Sequence, residues 1–237
     1  MAGETIKTEA LCLDIRPWSK TSHIVNWLTP NGKVGTIVKG AVRPKSFFLG
    51  QYDLNYTCEI LYYARARGDL HALRECTPVE RRDGLRGNYR RLLLAEHVRQ
   101  VTGELASAGP EARGWYDLAV SALDGAVQSD NLLGDMLEFE ISALRLAGVS
   151  PDFTGCRAPF SPFYLEEGSF KGQSSRQMPI SPMVAACLMR PKAVKNPTIL
   201  LDAARVIGVY YNFHLDFSLE TRRTIVKLVA QGQGDKT

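Results

Sequence analysis

Between Leu11 and Cys76 apolar residues alternate with polar ones, the period-two pattern of half-buried strands. Leu11, Leu13 and Ile15 open it, and HIVNWLT follows at 23–29. Asn31-Gly32 is the dipeptide of a tight type I′ hairpin, a turn that needs positive φ at both central residues. KVGTIVKGAV then reads as the return strand, with Gly35 and Gly40 at bends or bulges. In YDLNYTCEILYY (52–63), Tyr52, Leu54, Tyr56, Cys58 and Ile60 share one face. ARARGD supplies the next turn, and LHALREC (70–76) a fifth strand. Five short strands within residues 1–80 predict a small closed barrel, and the OB-fold is the commonest five-stranded solution.

Beyond Pro78 the period changes. Leu85, Tyr89, Leu92, Ala95, Val98, Val101 and Leu105 recur every three or four residues, and so do Trp115, Leu118, Ala119, Ala122 and Leu123. A third helix is expected to start from an N-cap at Ser129 or Asp130 and to end near Gly148, before Pro151. Residues 151–179 mix Pro, Gly, Ser and aromatics without period and predict an irregular insert. Ser181-Pro182 and Asn196-Pro197 each pair a cap residue with proline at the first helical position. A last helix is expected over about 219–230, followed by a frayed tail. The fold class is therefore α+β: an OB-fold barrel over 1–80, then an α-helical domain over 81–237 that carries the insert.

Composition changes this picture little, since 45% hydrophobic and 23% charged residues are ordinary for a globular chain. No apolar run is long enough to span a membrane, and MAGETIKTEA lacks a basic start and apolar stretch, so a cytoplasmic protein is expected. The five cysteines (Cys12, Cys58, Cys76, Cys156, Cys187) include no CxxC pair, so they predict reduced, mostly buried thiols rather than disulfides or a metal site.

Charge changes the picture more. Residues 1–100 hold 16 Lys+Arg against 10 Asp+Glu, residues 101–170 hold 3 against 11, and residues 171–237 hold 10 against 4. From Ile15 through Tyr52 no acid occurs, yet Arg16, Lys20, Lys33, Lys39, Arg43 and Lys45 all do. Such a single-sign field concentrates polyanions. Lysines that merely protect a sheet edge would explain one or two of these cations, not six. Lys33, Gly35, Ile37 and Lys39 alternate onto one strand face, placing the two lysines about 20 Å apart. Arg43-Pro44-Lys45 follows on a proline-stiffened loop. Exposed members of the set Trp18, Trp27, Phe47 and Phe48 could stack on bases. Arg65 and Arg67 extend the patch, and Arg81, Arg82, Arg86, Arg90 and Arg91 form a second cluster in which Arg82, Arg86 and Arg90 are expected on one helix face.

Covalent chemistry has no signature here. GxSxG, HExxH, a strand-following GxGxxG and a Walker loop are all lacking from the sequence, and neither Cys12 nor Cys58 has a histidine-bearing motif beside it. His23, His71, His97 and His214 are isolated and read as surface or satisfied histidines. Asp135, Glu138 and Glu140 fall on one predicted helix, either as a solvated acidic face or as a docking surface for a basic partner.

GKVGTIVKGAVRPKS, preceded by an apolar strand ending WLTPN, resembles the N-terminal barrel signature of the bacterial RecO recombination mediators. LRLAGVSPDF (144–153) is similar to that family's helix end before its zinc-binding insert. The resemblance implies a non-catalytic protein that binds single- and double-stranded DNA and anneals complementary strands. It implies action with RecR and single-strand-binding protein to load RecA, close to the nucleoid, as a monomer when alone. Lys39, Arg43 and Lys45 are the implied DNA contacts, with Lys33 behind them and Arg16, Lys20, Arg65, Arg67, Arg86 and Arg90 as outer members. The family's partner ends in an acidic tail with a terminal phenylalanine. Its expected seat is Arg205, Arg222, Arg223 and Ile225, a basic rim beside apolar residues.

One departure matters. Many relatives hold zinc in two CxxC pairs of the insert, whereas FTGCRAPFSPFYLEEGSFKGQSSRQMP retains Cys156 alone, with Pro159 at its partner's place. One thiolate cannot build a four-ligand site. No metal or other cofactor is therefore expected, and Phe153, Phe160, Phe163 and Tyr164 are expected to hold the insert by packing. The rival readings are an OB-fold that binds RNA and an OB-fold adaptor that docks an acidic protein.

Overall fold

The computed structural model describes residues 4–65, 68–106, 108–215 and 220–234, with side chains up to residue 231. Five strands, β1 (Thr5–Ser19), β2 (Ser22–Thr29), β3 (Gly32–Val38), β4 (Thr57–Tyr63) and β5 (Leu70–Glu80), close a barrel in the order β1-β2-β3-β5-β4. The length of β1 makes closure possible, because Thr5–Leu11 pair with β4 while Leu11–Ser19 pair with β2. Three parallel pairs, Gly35 to Ile37 against Leu70 to Ala72, complete the ring. This is the expected OB-fold. A Cβ on Gly35 would meet Leu70 Cδ2 at 3.1 Å and the Asp69 carbonyl at 3.2 Å, so glycine permits the close approach there.

Alternate residues turn inward: Cys12, Val25, Trp27, Val38, Cys58, Ile60, Leu73 and Cys76 form the barrel core. Trp27 satisfies its indole N–H by donating to Thr36 Oγ1 at 2.8 Å. The Cys58 and Cys76 thiols both reach the Gln51 carbonyl, at 3.5 and 3.6 Å. The hydrogen bond with Cys58, together with burial, pushes the Cys76 thiol far above its usual range.

The β2–β3 turn differs from expectation. Thr29 pairs with Gly32, leaving Pro30 and Asn31 at the centre, and of the three loop residues only Gly32 has positive φ, 124°. Proline fixes φ near −65°, which excludes the type I′ form at that position. The return strand stops at Val38, and residues 52–56 are not strand. Instead, a staircase of turns links β3 to β4, with N–H groups of Arg43, Ser46 and Leu49 donating to the carbonyls of Gly40, Arg43 and Ser46 in succession.

Among the described residues six α-helices follow: α1 (Tyr89–Leu105), α2 (Ala112–Ala126), α3 (Leu132–Leu146), α4 (Pro182–Met189), α5 (Pro197–His214) and α6 (Glu220–Gly234). The chain forms two compact units, one of Met1–Gly84 with Thr102–Asp124 and one of Leu85–Val101 with Gly125–Thr237. In the first, Trp115, Ala119 and Leu123 of α2 are buried as their spacing predicts. In the second, Ser181 and Asn196 cap α4 and α5 as expected, accepting from Val184 N–H and from Thr198 and Ile199 N–H. The cap of α3 is Asn131, which accepts from Gly134 N–H, whereas Ser129 spends its hydroxyl on the Asp135 carboxylate. Helix α1 starts four residues after Leu85, because Asn88 Oδ1 accepts from Arg90 and Arg91 N–H. Its buried face is therefore Leu94, Ala95, Val98 and Val101, while Tyr89 and Leu92 stay exposed.

The insert is more regular than its composition suggests. β6 (Ser161–Tyr164) and β7 (Gln177–Ile180) form a hairpin in which Pro162 faces Pro179. Phe153 stacks on Phe163 at 5.2 Å, and Phe170 and Tyr210 pack edge-on to it. Phe160, expected in this cluster, is exposed, and Tyr164 is half-buried. Among the described residues no helix is long and apolar enough to cross a membrane, and no three His, Cys, Asp or Glu side chains come together as a metal site.

Candidate nucleic-acid interface

The site begins where β1 turns into β2. Pairing of Pro17 with His23 and of Ser19 with Ser22 puts Trp18 beside the turn and Lys20 on it. Two hydrogen bonds then draw the exit of β3 to this turn: Gly40 N–H donates to Ser22 Oγ at 3.3 Å, and Val42 N–H to the Thr21 carbonyl at 3.3 Å. Gly40 has φ 69°, and a Cβ there would meet Arg43 Cδ at 3.2 Å. The arginine stem therefore lies against the glycine.

Trp18, Ser19, Ser22, Ile37, Lys39, Gly40 and Arg43 line one open depression of about 380 Å3. Trp18 is 59% exposed. Lys20, Lys39, Arg43 and Lys45 are exposed and, among the described residues, carry no ion pair. Lys45 stands further along the staircase, next to Phe47, which is 94% exposed. Trp27 belongs to the core, and Phe48 packs against it.

The other expected members lie elsewhere. Arg16 pairs with Asp14, one residue outside the acid-free stretch. Lys33 Nζ donates to the Gly103 carbonyl at 2.7 Å, near the C-terminus of α1, and desolvation lowers its pKa against the opposing effect of Glu104. A cation on the last carbonyls of a helix is a cap. The Lys33 ammonium is thus engaged with a helix end rather than aligned with Lys39. Arg65 is exposed on the β4–β5 connection, where its N–H donates to His71 Nδ1 at 3.2 Å, and Arg67 lies outside the described residues.

Arg82, Arg86 and Arg90 do not share a helix face. Arg82 precedes the helix with φ 53°, and its buried guanidinium donates to Asp124 Oδ1, the Asn55 carbonyl and Thr57 Oγ1 at 2.7, 2.7 and 3.0 Å. Arg86 and Arg90 belong to the second unit, both exposed, one before α1 and one in its first turn.

The basic rim expected in the C-terminal third is also different. Ile225 is fully buried. Arg222 donates from Nε to Glu140 Oε1 at 2.7 Å and from a terminal nitrogen to the Ala204 carbonyl at 2.6 Å, so its guanidinium is engaged within the helical unit. Arg223 and Arg205 are exposed, Arg205 paired with Asp202 at 3.0 Å. Glu140, expected on an acidic surface, is fully buried between Arg222 and His97, whose Nε2 lies 2.9 Å away. Burial alone would raise its pKa. Arg222 and His97 overcome that and hold it below the usual carboxylate range. The only sequence trace of this cluster was the helical spacing that puts Glu140 among Met136, Leu137 and Leu144.

Residues 1–82 match the family model described as Recombination protein O N terminal. Three curated relatives, each named DNA repair protein RecO, match over longer stretches. That of Rhodopirellula baltica is 28% identical over 148 residues, covering 62% of this chain and 55% of the relative. That of Acetivibrio thermocellus is 24% identical over 64% of this chain and 60% of the relative. For Roseiflexus sp. the figures are 22%, 67% and 55%. The chain thus spans little more than half the length of the curated relatives it matches.

Proposed function

We propose that the chain is a member of the RecO family and, on that premise, a non-catalytic DNA-binding protein of recombination and repair. The observation that carries the proposal is the cluster of exposed cations, Lys39, Arg43, Lys45 and Lys20, around the β1–β2 turn and the β3 exit of an OB-fold. OB-folds bind oligonucleotides on the β2–β3 face and the adjoining loops, and the β4–β5 loop carries Arg65. Lys33 and Arg16 are left out of the inner contact set, being engaged with a helix end and with Asp14. Arg86 and Arg90 remain as an outer contact.

The mechanism is electrostatic. Cations replace counterions along single- or double-stranded DNA, and by screening phosphate repulsion they let complementary strands approach and pair. In this reading the protein works in the cytoplasm near the nucleoid, with RecR, on DNA covered by single-strand-binding protein, and so helps to load RecA. The tail of single-strand-binding protein would meet Arg223 and Arg205, since Arg222 is engaged with Glu140 and Ile225 is buried.

Gel shifts with single-stranded DNA, duplex DNA and RNA at two salt concentrations, beside a strand-annealing assay, test this reading. The expected result is binding of both DNA forms, annealing, and weakening of both activities in the variant K39A/R43A/K45A. RNA-selective binding, or retention of an acidic protein but no DNA, would replace it by one of the rival OB-fold roles.

A further inference from the structure

We infer that the depression between Trp18 and Arg43 is a subsite for one unpaired nucleotide, in which the indole stacks on the base while Lys39 and Arg43 hold the flanking phosphates. The inference rests on the DNA-binding reading and adds a preference for single strands at a defined place. Its lining brings the apolar Ile37 and the Trp18 ring together with the cationic Lys39 and Arg43. At about 380 Å3 the space lies at the lower end of volumes that take a small ligand. From Ile15 through Tyr52 no carboxylate competes for these cations.

The geometry is also held in place. Ser22 and Thr21 fasten residues 40 and 42 to the turn, and Gly40 lets the Arg43 stem lie against it, so the backbone that carries the cations is set against the β1–β2 turn before any ligand arrives. A paired base offers only its edges in a groove, whereas an unpaired one offers its face. Stacking therefore selects single strands and tolerates every base.

The three tryptophans make the test direct. Trp27 and Trp115 are 0% and 1% exposed, so quenching of the intrinsic emission by a dissolved oligonucleotide reports on Trp18. Oligo(dT), an abasic oligonucleotide of equal length and duplex DNA are titrated against the wild type, W18A, W18F and F47A. Oligo(dT) is expected to quench the wild type and not W18A. W18A should bind oligo(dT) about tenfold more weakly. Its affinity for abasic and duplex DNA should be unchanged, and W18F should recover most of the loss. Equal weakening of oligo(dT) and abasic DNA by W18A, no weakening at all, or the loss appearing in F47A instead would each overturn the subsite while leaving DNA binding intact. If the wild type binds none of the three ligands, the DNA-binding reading itself fails.

Discussion

Arg222 and Glu140 illustrate how a residue's surroundings reverse its reading. In the sequence an arginine beside Arg223 and a glutamate near Asp135 both read as surface charges, whereas in the fold they neutralise one another inside the helical unit. Removing one partner strands the other, so Arg222→Ala is expected to destabilise this unit by about 3–5 kcal/mol, read as a lowered denaturation midpoint. Because the folded carboxyl is held below its ordinary value of 4.5, its contribution is present above that pH and is lost as the pH falls through the folded value. Acid titration of stability should therefore be steeper in the wild type below about pH 4.5 than in Arg222→Ala, and superimposable curves would deny the pair its role. Arg82 makes a comparable case in the barrel unit. Its guanidinium serves three acceptors, and Arg82→Ala should cost about 1.5–3 kcal/mol, the range of hydrogen bonds to charged groups.

At the scale of elements, Lys33 separates two roles that the sequence could not. As a cap on the C-terminal carbonyls of α1, it should contribute under about 1 kcal/mol, and Lys33→Ala should leave the salt dependence of DNA binding unaltered. A shallower salt dependence in Lys33→Ala would place its ammonium on phosphate instead. The strands of the barrel were legible because one buried face imposes a period of two. Caps such as Ser181 and Asn196 were legible because each is followed by a proline that starts the helix. Legibility failed where the deciding partner is distant. Nothing local distinguishes Asn131 from Asp130 as a cap, and residues 39–42 and 52–56 carry strand-like spacing although no strand forms there. The β6–β7 hairpin hides because Pro162 and Pro179, which usually argue against strands, face each other across it. The candidate site was legible as a run of cations, but its grouping with Trp18 depends on hydrogen bonds to Ser22 and Thr21 that no periodicity encodes.

For the molecule as a whole, charge is distributed unevenly along the chain, and Lys20, Lys39, Arg43 and Lys45 carry no ion pair among the described residues. Binding driven by counterion release falls with salt by a slope of roughly −0.7 to −0.9 per phosphate contact. Replacing Lys39, Arg43 and Lys45 together should flatten that slope by about two to three units on every DNA sequence alike. A uniform loss marks backbone attraction, and a loss confined to some sequences would mark base reading.

The three sulfurs sealed inside the barrel give it a clock of its own. Cys12, Cys58 and Cys76 sit where no reagent can arrive while the ring of strands is closed, so an alkylating agent in excess measures how often that ring breathes open, and a ligand that grips the turn by Trp18 ought to slow the ticking.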